Sequence, residues 1–224
     1  MASGGSPSLT PDYGNPEPED TWASTSTLVN PDPPLRLVFD RDSVISATLY
    51  SRTGPMYKIT TNSTISRTEL KDLTTGEQRV VAIVKRRELL PDVVVFDHRS
   101  QKSVRMSKWL KRKKGGPGTH PSAELQTESG SFTWKTDNVY PFALYSNSDD
   151  RSQMAEEPGC PIAYSKVLED PPTIALIIRR CDDSVQIEII TSFLVLEHRR
   201  RMKEKFRQGH TVLYALGSQY IVLG

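Results

Sequence analysis

From Val185 to Arg207 about 23 residues pass without Gly or Pro, and within them Ile187, Ile189, Ile190, Phe193, Leu194, Val195 and Leu196 cover almost every side of a helical wheel. Asp182-Asp183-Ser184, just before the stretch, can cap a helix and complement its positive end. At the usual rise per residue the helix would be about 34 Å long, enough to cross a small domain. A helix that is apolar all round is expected to be buried, so the rest of the chain has to supply walls around it. Its second half, Glu197 to Arg207, is dominated by charge and is expected to emerge into water. The competing reading is a further strand over Val185 to Ile190, where β-branched residues are common.

The walls are expected to be strands. From Leu35 onward, short runs of two-residue alternation are separated by Gly, Asn, Asp or Pro, the pattern of successive antiparallel strands. The runs are Leu35 to Phe39, Val44 to Tyr50, Met56 to Thr60, Thr64 to Asp72, Gln78 to Lys85, Val93 to Phe96 and Ser103 to Trp109. They resume at Ser131 to Lys135, Phe142 to Ser146, Ile162 to Leu168 and Thr173 to Arg179. Residues 111–130 and 147–159 are expected to be loops, the first because Lys111-Arg112-Lys113-Lys114 and Gly115-Gly116-Pro117-Gly118 leave no apolar face. Thr211 to Leu223 has strand character but no evident partner.

Seven of the 16 prolines lie in the first 34 residues, where apolar side chains are sparse. That segment cannot bury enough surface to offset the entropy of ordering it, so residues 1–33 are expected to be a disordered tail ahead of one mainly β domain at 34–224. The tail holds Asp12, Glu17, Glu19, Asp20 and Asp32 and no Lys or Arg. With 29 basic and 27 acidic side chains in the whole chain, removing those five acids leaves the domain at +7. A moderately basic domain favours anionic partners, lipid headgroups or nucleic acid, without choosing between them. Met1 is followed by no basic stretch and apolar run, and the longest apolar stretch is about half the roughly 20 residues of a membrane-spanning helix, so a cytoplasmic chain without transmembrane segment is expected. Cys160 and Cys181 lack CxxC spacing and suit reduced thiols.

Phe132-x-Trp134-Lys135, Leu144-Tyr145, Ile174-Ala175-Leu176-Ile177-Ile178 and Ser192-Phe193-Leu194-Val195-Leu196-Glu197-x-Arg199-Arg200 resemble an uncharacterised family of fungal domains associated with the Tubby C-terminal-like superfamily, which includes the scramblases and the plant LURP-one-related proteins. The likeness spans roughly residues 35–207. It implies an antiparallel β barrel enclosing a C-terminal helix, the shape that the wheel of Ile187 to Leu196 requires on its own. Tubby-like proteins imply phosphoinositide binding, but no binding residue carries over, since the matching motifs are core residues.

No arrangement of titratable residues argues for catalysis, and neither a metal nor a cofactor is expected. His98, His120, His198 and His210 have no metal-ligand spacing. In Asp97-His98, adjacent side chains point to opposite faces of a strand, so a structural or solvated histidine is expected. His198 beside Glu197 reads as a solvated surface residue. Gly115 to Gly118 lacks the strand-loop-helix context of a phosphate loop.

The sharpest functional feature is Lys108-Trp109-Leu110-Lys111-Arg112-Lys113-Lys114. At an anionic membrane each cation contributes on the order of 1 kcal/mol, and Trp109 would suit the interface. The plainer reading sends Trp109 and Leu110 into the core and leaves the cations solvated. Lys85-Arg86-Arg87 and Arg199-Arg200-Arg201 are further basic runs. The expectation is a non-enzymatic binding module, with anionic phospholipid as the leading ligand at Lys108, Trp109, Lys111, Arg112, Lys113 and Lys114. The alternative is a protein-interaction scaffold using the tail and long loops; nucleic acid is a weaker fit.

Overall fold

A computed structural model of the chain describes residues 33–100, 102–113, 122–136, 139–147, 160–170, 172–179 and 181–219, with side chains of the last helix described to Gln208. The alternating runs are strands: β1 (Leu35–Phe39), β2 (Ala47–Ser51), β3 (Gly54–Thr61), β4 (Arg67–Asp72), β5 (Arg79–Lys85), β6 (Val93–Phe96) and β7 (Ser103–Arg105). After a helical turn, α1 (Met106–Trp109), come β8 (Leu110–Lys113), β9 (Ser122–Thr127), β10 (Gly130–Lys135), β11 (Ala143–Ser146), β12 (Ala163–Glu169) and β13 (Pro172–Ile178). The chain then enters α2 (Asp183–Gln219).

All 13 strands of the described residues join one antiparallel sheet, in the order β7-β6-β5-β4-β3-β2-β1-β13-β12-β11-β10-β9-β8. Two meanders therefore meet at β1 and β13, in a register running from Leu35↔Ile178 to Val38↔Ala175. The outer strands β7 and β8 are separated only by α1, yet among the described residues no ladder joins them, so the sheet is open and not the closed barrel expected.

Three local expectations are corrected. The strand expected over Ser103 to Trp109 stops at Arg105, because Met106 and Trp109 are both buried and a spacing of three places both inward only on a helical turn. The loop expected over 111–130 contains β8, β9 and the start of β10, paired from Leu110↔Leu125 to Lys113↔Ser122. Buried Leu110, Ala123 and Leu125 supply the inward-facing period that the flanking lysines and glycines mask. The Thr211 to Leu223 segment does not form a strand within its described part: α2 continues to Gln219, past Gly209, which costs an established helix only about 1 kcal/mol. Residues 1–32, 114–121 and 148–159, which hold nearly all of the tail, part of the first expected loop and most of the second, lie outside the described residues.

The helix is enclosed as its wheel requires. Every residue from Val185 to Val195 is at most 8% exposed. Phe193 meets Phe39 of β1, Trp134 of β10 and Phe142 at ring-centroid distances of 6.1, 6.3 and 5.9 Å. Gln186 donates to the Tyr57 hydroxyl of β3 at 2.8 Å. Both meanders thus touch α2, and the sheet curls round it. Burying each large apolar side chain contributes roughly 1.5–3 kcal/mol.

The rod is not wholly apolar, however. Gln186, Glu188, Thr191 and Ser192 are buried in it, and among the described residues no buried side-chain nitrogen or oxygen lacks a partner. Thr191 and Ser192 turn back onto the carbonyls of Ile187 and Ile189, at 2.7 and 2.9 Å, and Ser192 also accepts the Trp134 indole N–H at 2.9 Å. No helix among the described residues is long and apolar enough to cross a membrane.

Candidate anion-binding cleft

The strand period divides the basic run of β8. Leu110 is buried, and Arg112, two residues on, lies on the same inner side opposite Ala123. Lys111 and Lys113 belong to the other face, where Glu124 stands opposite Lys111 in register and pairs with Lys113 at 3.3 Å. Lys108 is exposed on α1. Trp109 is 1% exposed and donates its indole N–H to Glu188 at 2.8 Å, so it is a core residue and not available to a lipid interface. Lys114 lies outside the described residues.

Arg112 instead joins cations from the other two basic runs. Where α2 leaves the sheet, a cleft of about 790 Å³ opens between the end of β5, β8 and the helix. Leu196, Arg199, Lys203 and Arg207 line it from α2 at spacings of three, four and four, one helical face. Arg86 approaches from just beyond β5, and the floor is apolar, with Ala123, Trp134 and Phe142. Arg86 is fixed by its Nη1, which donates to the Ile65 carbonyl at 3.1 Å and the Thr68 hydroxyl at 2.9 Å.

The cleft's own acids already hold hydrogen-bond partners. Asp92 accepts the Arg87 backbone N–H at 3.0 Å, and Glu204 accepts from Arg200 at 2.6 Å. Among the described residues, neither Arg112 nor Arg199 forms an ion pair. Burial pushes the Arg199 guanidinium below its ordinary range, and the positive charges of Arg112 and Arg86 add to this against the opposing field of Asp92. Burial lowers Arg86 as well. His198 is half-buried at the cleft and not a solvated surface residue; burial lowers its pKa first, then the charges of Arg86, Arg199 and Lys205. The arrangement concentrates positive charge over an apolar floor, the physical form of an anion site with a fork of guanidinium donors.

The remaining members of the 199–201 run are tied down. Arg200 forks the Glu197 carboxylate with two 2.7 Å bonds and also reaches Glu204. Arg201 bonds Glu197 at 2.7 Å and pairs with Asp42. Glu197 is 2% exposed, so the charged half of α2 meets water only beyond it, because the two arginines neutralise the carboxylate inside the wall. A recess of about 250 Å³ beside this knot is lined by Glu197, Arg200, Arg201, Glu204 and Asp42, which pair among themselves, and by Lys166, which lies over the Tyr164 ring.

Deeper along α2, Glu188 is 1% exposed. It accepts from Arg99 Nη2 at 2.6 and 2.7 Å, from Arg99 Nε at 3.1 Å and from Trp109, with His98 Nε2 at 3.1 Å. His98 therefore works with a residue 90 positions away and not with Asp97. The signal available in sequence was a lone carboxylate inside an apolar run. Glu188 clamps the β6–β7 turn and α1 to the helix, and its oxygens are fully used. Cys181 is held as a thiol, its pKa pushed up to about 11 by burial and then by Asp182 and Asp183. Among the described residues, no cluster of His, Cys, Asp or Glu could hold a metal ion.

Taken together, these features define a mainly β protein whose open antiparallel sheet curls round a buried helix, with a cationic cleft at the helix exit. The chain belongs to a family of unknown function, DUF6593, whose model matches residues 42–202. No curated protein and no solved structure matches it. The matched span includes Arg86, Arg112, Glu188 and Arg199.

Proposed function

We propose that the protein is a non-enzymatic binding module that takes the phosphate headgroup of an anionic phospholipid between Arg86, Arg112 and Arg199. The observation that carries this reading is the convergence of three basic runs on one cleft, where, among the described residues, neither Arg112 nor Arg199 forms an ion pair. Guanidinium forks match phosphate oxygens, and the apolar floor of Trp134, Phe142 and Leu196 suits the glycerol and upper acyl region of a lipid. On the same reading the curled sheet is a Tubby-like barrel wall, supported by the burial of α2 on every side and by the single helical turn between the outer strands.

Liposome sedimentation tests the proposal. The protein is expected to pellet with vesicles containing phosphatidylserine or a phosphoinositide and to stay in the supernatant with pure phosphatidylcholine. Each charge-assisted hydrogen bond contributes about 1.5–3 kcal/mol, so the Arg112→Gln/Arg199→Gln variant should bind anionic vesicles at least about tenfold more weakly. Equal, negligible binding to neutral and anionic vesicles would remove the lipid reading.

A further inference from the structure

The segment between β5 and β6, Arg86-Arg87-Glu88-Leu89-Leu90-Pro91-Asp92, begins and ends on the cleft, since Arg86 and Asp92 both line it. The loop is pinned at its base. The Arg87 N–H donates to the Asp92 carboxylate at 3.0 Å, and the Asp92 carbonyl accepts the Met106 N–H at 2.8 Å. Between these anchors Leu89 is 98% exposed and Leu90 61% exposed, and Pro91 stiffens the return. The β3–β4 turn stands next to it, joined through the Arg86 bond to the Ile65 carbonyl, and Ile65 is itself 37% exposed.

Single exposed apolar residues need no explanation, but here three project from two adjoining, hydrogen-bonded turns at the rim of a cationic cleft. Charge complementarity selects the occupant. Arg86 and Arg87 open the loop that carries the apolar tip, and Arg86 lines the cleft together with Arg112 and Arg199; these cations exceed the loop's own acids, Glu88 and Asp92, so the surface combines apolar side chains with net positive charge. An anionic bilayer leaflet presents the matching pair, phosphates at the level of the cations and acyl chains below them.

We infer that Leu89 and Leu90, supported by Ile65, form a membrane-insertion tip that seats the cleft against an anionic leaflet. The inference rests on the cleft holding a phosphate headgroup, and it adds a second, apolar contact made only with a membrane. A soluble phosphate compound and a vesicle therefore report on different halves of the surface.

The experiment uses the full chain as wild type, as Leu89→Ser/Leu90→Ser and as Arg112→Gln/Arg199→Gln. Each is titrated with inorganic pyrophosphate by calorimetry and with phosphatidylcholine vesicles carrying phosphatidylserine by sedimentation. The leucine variant is expected to keep its pyrophosphate affinity and to lose about a hundredfold in vesicle affinity, since each of the two leucines removed from the bilayer is worth roughly tenfold. Leu89 and Leu90 are exposed, so the melting temperature should stay unchanged. The arginine variant is expected to lose both affinities. Vesicle binding by the leucine variant equal to wild type would overturn the insertion tip and leave the cleft reading standing. A wild-type chain that binds neither pyrophosphate nor vesicles would overturn the cleft reading and the tip together. Dissociation of a wild-type dimer in the leucine variant, with vesicle binding intact, would show that the leucines cover a second copy and would likewise overturn the tip.

Discussion

Ile65 holds φ at 57°, in the left-handed region where its branched Cβ crowds the following carbonyl. The turn enforces the angle: the Ile65 N–H donates to the Asn62 carbonyl at 3.0 Å while its own carbonyl receives Arg86. A residue with a short polar side chain adopts this conformation at lower cost, and little packing would be lost at a site 37% exposed. Ile65→Asn is therefore expected to stabilise the fold by about 1 kcal/mol, read as a higher urea midpoint with unchanged slope. A lower midpoint would mean that the isoleucine earns its place through packing. The strain sits beside the cleft and on the apolar tip, where a stability cost is tolerable if the side chain serves a membrane contact.

At the scale of the element, α2 shows what a sequence can and cannot disclose. Ile187 to Leu196 announced an enclosed rod because apolar residues fall on every side, and a strand alternative over Val185 to Ile190 fails against burial at consecutive positions. Glu188 was legible as a residue but not as a clamp, since its partners Arg99, His98 and Trp109 come from about 80 to 90 positions away and only the folded sheet delivers them. The basic runs were legible as charge, yet their roles depend on geometry: the strand period turns Arg112 inward and Lys113 outward, and Glu197 claims Arg200 and Arg201 but not Arg199. β8 and β9 escaped because lysine and glycine dominate their flanks and only Leu110, Ala123 and Leu125 mark the inner face. The clamp carries its own prediction. Glu188→Gln leaves the largely buried Arg99 with only the exposed Glu128 carboxylate, at 3.8 Å, as counter-charge, and it should cost about 3 kcal/mol by chemical denaturation. A loss below about 1 kcal/mol would show that Arg99 finds another partner or reaches water.

Across the whole molecule, α2 links two electrostatically opposite situations. Near its start Glu188 is matched by Arg99, while eleven residues on, about 16 Å along the axis, Arg199 meets Arg112 and Arg86 with only Asp92 in opposition. Folding leaves Arg199 beside its like charges, and among the described residues it forms no ion pair, so the cleft works against the stability that the rest of the sheet and helix provide. Removing one of the three charges should then help the fold while harming the site. Arg199→Gln is expected to gain about 1 kcal/mol at low ionic strength, which for a chain of this size raises the melting temperature by roughly 2–4 °C. Salt should shrink the difference by screening the repulsion. Pyrophosphate should stabilise the wild type, because a ligand bound only by the folded state raises its stability with concentration, and it should do so much less for the variant. Thermal melts of both chains across salt and pyrophosphate concentrations read all three effects together. A variant less stable than wild type in every buffer would mean that the Arg199 side chain contributes more by packing its aliphatic stem over Leu196 and the apolar floor than it loses by repulsion, and the cleft would then be a structural seam rather than a site held open for an anion.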